Sequence, residues 1–251
     1  MTHHIQCAEI WGGVQGIVQD VCTRGLTASI YSRSAEGEGG GDIYYLSVCS
    51  YDILTRIAIV DVRGHGREVL AISEWLYALL LESMNSLDGA AILAGLNDLV
   101  VDRGFQAIST AAILSLHQQE GNLYYAYAGH PPLLLRQNAS GWASVLTPDL
   151  PGVANLPLGV RKGIRYDQGH LSVQPGDRLC LFTDGVTEHV NQAGELWGDD
   201  RLTALLADTD RDELSAVRDR IVMAFESFAE VSVPQDDCTF LLAEVLVQHP
   251  A

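Results

Sequence analysis

Long apolar runs are missing from this chain: none reaches the roughly 18 residues that would suggest a membrane-spanning helix. The first residues, MTHHIQCAEIWGG, have neither a basic stretch nor an apolar one, so no signal peptide is expected and the cytoplasm is the default compartment. Basic residues are scarce, 15 against 32 acidic ones, for a net charge of −17. That balance disfavours nucleic acid and anionic membranes as partners, since both need a basic face. The five cysteines (Cys7, Cys22, Cys49, Cys180, Cys238) include no C-x-x-C pair, which excludes a short-spaced zinc site or a disulfide framework. Cys49, Cys180 and Cys238 lie in or beside apolar runs and read as buried reduced thiols. Internal repeats, heptads and low-complexity linkers are also lacking.

What is present is ordinary for a globular protein: 251 residues, 47% hydrophobic and 19% charged. The length predicts one large domain over 1–251, with two small domains as the fallback. The runs IYYLSVCS (43–50) and TRIAIVDV (55–62) predict two strands joined by a hairpin through SYDIL. Helical spacing of Trp75, Leu76, Leu79, Leu80 and Met84 predicts a helix over 67–84. A second is predicted over 88–103, with Asp88 as N-cap and Gly104 as its stop. Strands are then expected at AISTAAILSLH, NLYYAYAG, PLLLRQ, RYDQGHLSV and DRLCLFTD, with turns at QQEGN and QPGD. Helices at 200–207 and 211–229 precede a last strand, CTFLLAEVL. Strands do not alternate with single helices, so a doubly wound parallel sheet is excluded and an α+β fold of mostly antiparallel sheets with segregated helices is expected.

Acidic residues recur in one context. Asp42 follows Gly41 at a strand start, Asp61 ends IAIV, Asp184 ends LCLF and precedes Gly185, and Asp236–Asp237 precede the final strand. One such aspartate is usually a turn or cap residue; several that could converge at one sheet edge are harder to explain that way. Gathered carboxylates repel one another unless a cation neutralises them. Hard oxygen donors without Cys or His select Mg²⁺ or Mn²⁺, and two such ions about 3.5–4 Å apart can hold a phosphate for in-line attack by water.

Six segments in order, GGD (40–42), DVRGHG (61–66), AGHPPLLL (128–135), LPLGV (156–160), PGDRLCLFTDGVTE (175–188) and DDCTFLL (236–242), resemble the SpoIIE/RsbU branch of the metal-dependent serine/threonine protein phosphatases, the type 2C superfamily. The resemblance covers residue 38 to the end. It implies a four-layer α-β-β-α sandwich of two mostly antiparallel sheets flanked by helices, with two divalent ions, Mn²⁺ or Mg²⁺, at one sheet edge. Asp61 would bridge both ions and the Val62 carbonyl would complete one shell. Asp184 and Asp236 would hold the other ion, and Asp42 would bind the second ion directly or through water. Aligning DDCT with the family makes Asp236 the ligand and Asp237 its neighbour; a slip by one residue is the alternative. The nucleophile implied is water between the ions, and the substrate a phosphoserine or phosphothreonine on a small anti-sigma-factor antagonist in a partner-switching pathway.

Departures from the family pattern leave roles open. Arg63 stands where relatives commonly have serine, either to contact the substrate phosphate or as a surface residue. His65 is either the proton donor to the leaving oxygen or a structural residue of its Gly-His-Gly turn, and His130 has the same two readings. Tyr45 replaces a second acid found in relatives, while Gly185 and Glu188 read as supporting residues. Residues 1–37 are too few for a sensor domain and read as edge strands of the same sandwich. Regulation would then come from a homodimer, a separate protein, or not at all. Two other functions stay open: a catalytically silent docking module and a small phosphate-ester hydrolase.

Overall fold

The computed structural model describes residues 2–37, 39–49, 52–84, 86–137, 140–146, 156–230 and 234–246. The first half contains β1 (His3–His4), β2 (Ile10–Gly13), β3 (Ile17–Cys22), β4 (Leu26–Arg33), β5 (Asp42–Val48), β6 (Leu54–Val62), α1 (Leu70–Ser83) and α2 (Gly89–Arg103). The second contains β7 (Ser109–His117), β8 (Asn122–Ala128), β9 (Leu134–Arg136), β10 (Trp142–Ser144), β11 (Gln168–Ser172), β12 (Arg178–Phe182), α3 (Asp184–Thr187), α4 (Gly198–Asp208), α5 (Leu214–Ala229) and β13 (Cys238–Val245).

The strands form two sheets, one in the order β1-β3-β4-β13-β12-β9-β10 and the other β11-β8-β7-β6-β5-β2. Among the described strands only β1 and β3 pair in parallel. Side-chain alternation sorts the layers. On β6, Ile57 and Ile59 enter the core between the sheets with Leu46, Leu181 and Leu241, while Ala58, Val60 and Val62 pack under Leu76, Leu80, Leu93 and Leu96 of the helices. Cys180, Phe182 and Phe240 of the other sheet pack in the same way under Leu202, Ile221 and Phe225 of α4 and α5. Both faces of the central strands are therefore buried, which is why they read as continuous apolar runs. The result is the expected α+β sandwich of two mostly antiparallel sheets with helices outside.

Four local details differ from expectation. The segment 1–37 supplies more than edges: β4 lies inside its sheet, between β3 and β13. Its buried Ser29 and Ser32 give it a polar look, but Ser29 bonds Asp20 and Arg218 and Ser32 accepts from Thr239. Helix α1 starts at Leu70, not 67: Gly66–Glu68 form a separate 3-10 turn, with the amides of Gly66 and Arg67 bound by Asp237 and Glu36. The QPGD turn forms as expected, closed by the Asp177 amide on the Gln174 carbonyl, but the strands it joins lie in different sheets, β11 in one and β12 in the other. Asp184 does not end a strand: β12 stops at Phe182 and Asp184 begins the short helix α3. The expected hairpin between β5 and β6 forms by antiparallel pairing, although Ser50 and Tyr51 of its connection lie outside the described residues.

Asp88 caps α2 through the Ala91 amide at 2.9 Å, as the sequence predicts. Cys180 and Cys238 are buried and Cys49 is half-buried; all five cysteines are free. Among the described residues no helix is long and apolar enough to cross a membrane.

Candidate active site

The register of β5 against β6 sets Asp42 directly opposite Asp61. By alternation both point to the face shared with Leu46 and Ile57, the space between the sheets. Like charges directly opposite on neighbouring strands are destabilising, so this pair is not there for the fold. From the other sheet, Thr183 at the end of β12 donates to Asp42 Oδ2 at 2.9 Å, and its hydroxyl accepts from the Thr239 amide at 3.0 Å. One threonine thus joins the two sheets and fixes Asp42 at their common edge. Asp42 Oδ1 is buried without a hydrogen-bond partner.

Asp184 and Asp236 complete the edge. Together with Asp61, Arg63, Gly64, Ile108, Ser109, Thr110 and Pro157 they line an open cavity of about 290 Å³. Burial raises the Asp42 carboxyl well above its usual range, and Asp237 and Asp184 add to the shift. Desolvation raises Asp61 as well, reinforced by the charges of Asp42, Asp184, Asp236 and Asp237. Asp236, at the rim, is also raised, first by desolvation, with its bond from the Asp237 amide and nearby His65 opposing. Burial is the first cause at each of the three, and the neighbouring carboxylates add to it.

Asp237 is of another kind. Its carboxylate accepts from three backbone amides, Ala35 at 2.9 Å, Gly41, and Gly66 at 3.1 Å. It ties the loop before β5 to the turn after β6. That turn needs glycine, because Gly64 and Gly66 sit at φ of +99° and +65°. The Asp237 backbone also explains Gly185. A Cβ at Gly185 would collide with the Asp237 carbonyl oxygen, so glycine serves close approach here rather than a reversal of the chain.

The remaining expected residues are placed as follows. Val62 is buried at the end of β6, with its carbonyl oxygen 2.6 Å from where a Cβ on Gly41 would stand. Arg63 lies in the cavity wall with its guanidinium 4.5 Å over the Phe105 ring. His65 is exposed and makes no hydrogen bond among the described residues. His130 is buried away from solvent with Nδ1 2.8 Å from Thr110 Oγ1, and burial pushes it down to about 3, so its ring is neutral. Glu188 is exposed and feels Asp184 and Asp236; Tyr45 is a core residue under α1. Sequence reasoning missed Thr183, Thr110 and Phe105. Thr183 stands inside the quoted LFTDG segment and could have been found by its place between strand and aspartate. Phe105 gives no local signal.

The donor set suits a hard divalent cation: carboxylate oxygens, one of them buried and unpartnered. Among the described residues no three Asp, Glu, His or Cys side chains are gathered tightly enough to enclose an ion by themselves. A cation here would keep part of its water shell, the ordinary habit of Mg²⁺ on proteins.

The profile of the family described as Stage II sporulation protein E (SpoIIE) matches residues 53–246. The phosphoserine phosphatase RsbP of Bacillus subtilis is 27% identical over 227 residues, which cover 84% of this chain and 51% of RsbP. The chain therefore spans about half the length of that relative. Two solved structures share the fold. The SiaA-PP2C domain of Pseudomonas aeruginosa superposes with a TM-score of 0.75 at 20% identity, covering 86% of this chain and 85% of that one. The RsbU and RsbW domains of a Mycobacterium tuberculosis protein give 0.73 at 22% identity, covering 90% and 61%.

Proposed function

The chain belongs to the SpoIIE family, and on that premise we propose that it is a metal-dependent protein-serine/threonine phosphatase. The observation that carries this reading is the pairing of Asp42 with Asp61 across β5 and β6, with Asp184 at the start of α3 and Asp236 just before β13 lining the same cavity as Asp61. Two ions, Mn²⁺ or Mg²⁺, would be held by Asp61, Asp184, Asp236 and Asp42, with the Val62 carbonyl completing a shell. When bound, they supply an activated water and neutralise charge on the phosphoryl oxygens.

The protein's own groups do the positioning. Thr183 locks Asp42 so that its free oxygen stays at the sheet edge. Asp237 braces the Arg63–Gly66 turn and keeps its carboxylate on backbone amides, which leaves Asp236 as the ligand of that pair. Arg63 offers two parallel N–H groups to a phosphoryl oxygen pair. His65, exposed at the same rim, would protonate the serine or threonine leaving oxygen.

The substrate we propose is a phosphorylated protein of the small anti-sigma-factor antagonist type, met in the cytoplasm, with regulation through a homodimer or a separate protein. Phosphate release from a phosphoserine peptide should require Mn²⁺ or Mg²⁺, vanish with EDTA and return on adding the ion. Silence with Mn²⁺ and a genuine phosphoprotein would favour the docking-module reading. Release from aryl phosphate but from no phosphoprotein would favour a small-ester hydrolase.

A further inference from the structure

Among the described residues that line the cavity, Arg63 is the one cation, and it shares the wall with Asp61, Asp184 and Asp236. Opposite charges in so small a space ordinarily pair. Arg63 instead rests on the face of Phe105, 4.5 Å from the ring centroid, and none of its side-chain partners among the described residues is a carboxylate. A guanidinium stacked on an aromatic ring keeps the N–H groups at its edge free. The ring holds the cation ready for an anion that arrives from outside.

Phe105 is itself out of place, with 69% of its surface exposed on a chain whose other aromatic core is well buried. Leu156 and Val160 are 50% and 49% exposed. Their segment is pinned to the cavity wall by the bridge between Leu158 and Ser109 and by the packing of Gly159 on Ile108. Exposed apolar side chains on two segments that meet beside a polar site, here at Ile108–Ser109 and Leu158–Gly159, mark contact surfaces.

We propose that Phe105, Leu156 and Val160 form a docking ledge for the substrate polypeptide, which takes a bulky apolar side chain flanking the phosphorylated residue while Arg63 takes the phosphate. The proposal rests on the phosphatase reading of the cavity. Charge selects the occupant. A net charge of −17 opposes an anionic membrane, while Arg63, without a carboxylate partner among the described residues, welcomes a phosphate, and a small ester has nothing with which to cover the ledge. With guanidinium and ring 4.5 Å apart and an extended chain advancing about 3.4 Å per residue, the apolar residue lies within about two positions of the phosphoserine.

The test is fluorescence anisotropy of labelled phosphoserine peptides with leucine or glycine at the flanking positions, against wild type, Phe105→Ala, Phe105→Trp and Arg63→Ala. Melting curves check that each variant is folded. Wild type should bind the leucine peptide about tenfold more tightly, as expected for covering much of one leucine. Phe105→Ala should erase that preference and Phe105→Trp keep it. Arg63→Ala should weaken both phosphopeptides while leaving their unphosphorylated forms unchanged. Equal binding of the two peptides by wild type, no binding of either, or a preference that survives Phe105→Ala would overturn the ledge. Turnover is measured in parallel: binding with the leucine preference but no phosphate release would count against the phosphatase reading and leave the ledge standing.

Discussion

Replacing Asp61 by asparagine should lower Mn²⁺-dependent phosphate release by about 10³-fold, yet leave the metal-free protein at least as stable as the wild type. The two halves have one cause. Asp61 is held opposite Asp42, where burial first, and then the charges of Asp42, Asp184, Asp236 and Asp237, raise its carboxyl. Without a cation that arrangement is repulsive, and a neutral amide of the same shape relieves it. Relief of about 1 kcal/mol corresponds to a rise in melting temperature of roughly 2–4 °C for a chain of this size. With ions bound, the same carboxylate would hold the cations that neutralise charge on the phosphoryl oxygens. Metal ions contribute several kcal/mol there, and each 1.36 kcal/mol is about tenfold in rate. Saturating Mn²⁺ should reverse the order of stability, since binding stabilises only the protein that binds. Phosphate-release assays and paired melting curves with and without Mn²⁺ check both halves. A variant less stable than wild type without metal would mean that Asp61 is structural.

Asp237→Ala should do the opposite: unfold the protein more easily, by about 2–4 kcal/mol, whether or not metal is present. Its carboxylate serves the amides of Ala35, Gly41 and Gly66, and each buried amide left without an acceptor costs about 1–3 kcal/mol. Loss of one negative charge from the cluster offsets part of that sum. Asp237→Asn keeps one acceptor oxygen and should lose less than alanine does. Asp236→Ala, one residue away and exposed, should leave stability nearly unchanged and remove activity. Urea denaturation of the three variants decides the matter. If Asp236→Ala were the destabilising one, the assignment of ligand and brace would be off by a residue.

Much of this was legible in the residues because the chemistry and the sheet pattern coincide. The run IAIV followed by Asp61 reads as a strand buried on both faces, and it is one, packed between Leu46 and Leu181 on one side and the helices on the other. Asp42 could be placed at a strand start because glycines precede it. What escaped was set by tertiary contacts. Strand β4 fell in a segment read as edge strands, and only Arg218 and Thr239, far along the chain, show how its buried serines are satisfied inside the sheet. Gly185 read only as a supporting residue, whereas its need is the Asp237 carbonyl beside it. Thr183 bonds a carboxylate 141 positions away, a pairing that no local pattern encodes. Phe105 acquires meaning only from Arg63 lying across it.

A calorimetric titration of the metal-free protein with Mn²⁺, run beside Asp61→Asn, bears most directly on the claim that this sheet edge is a metal site. Two ions should bind wild type saturably, and the variant should lose at least one. No saturable binding by a wild type that releases phosphate, or unchanged binding by Asp61→Asn, would contradict it.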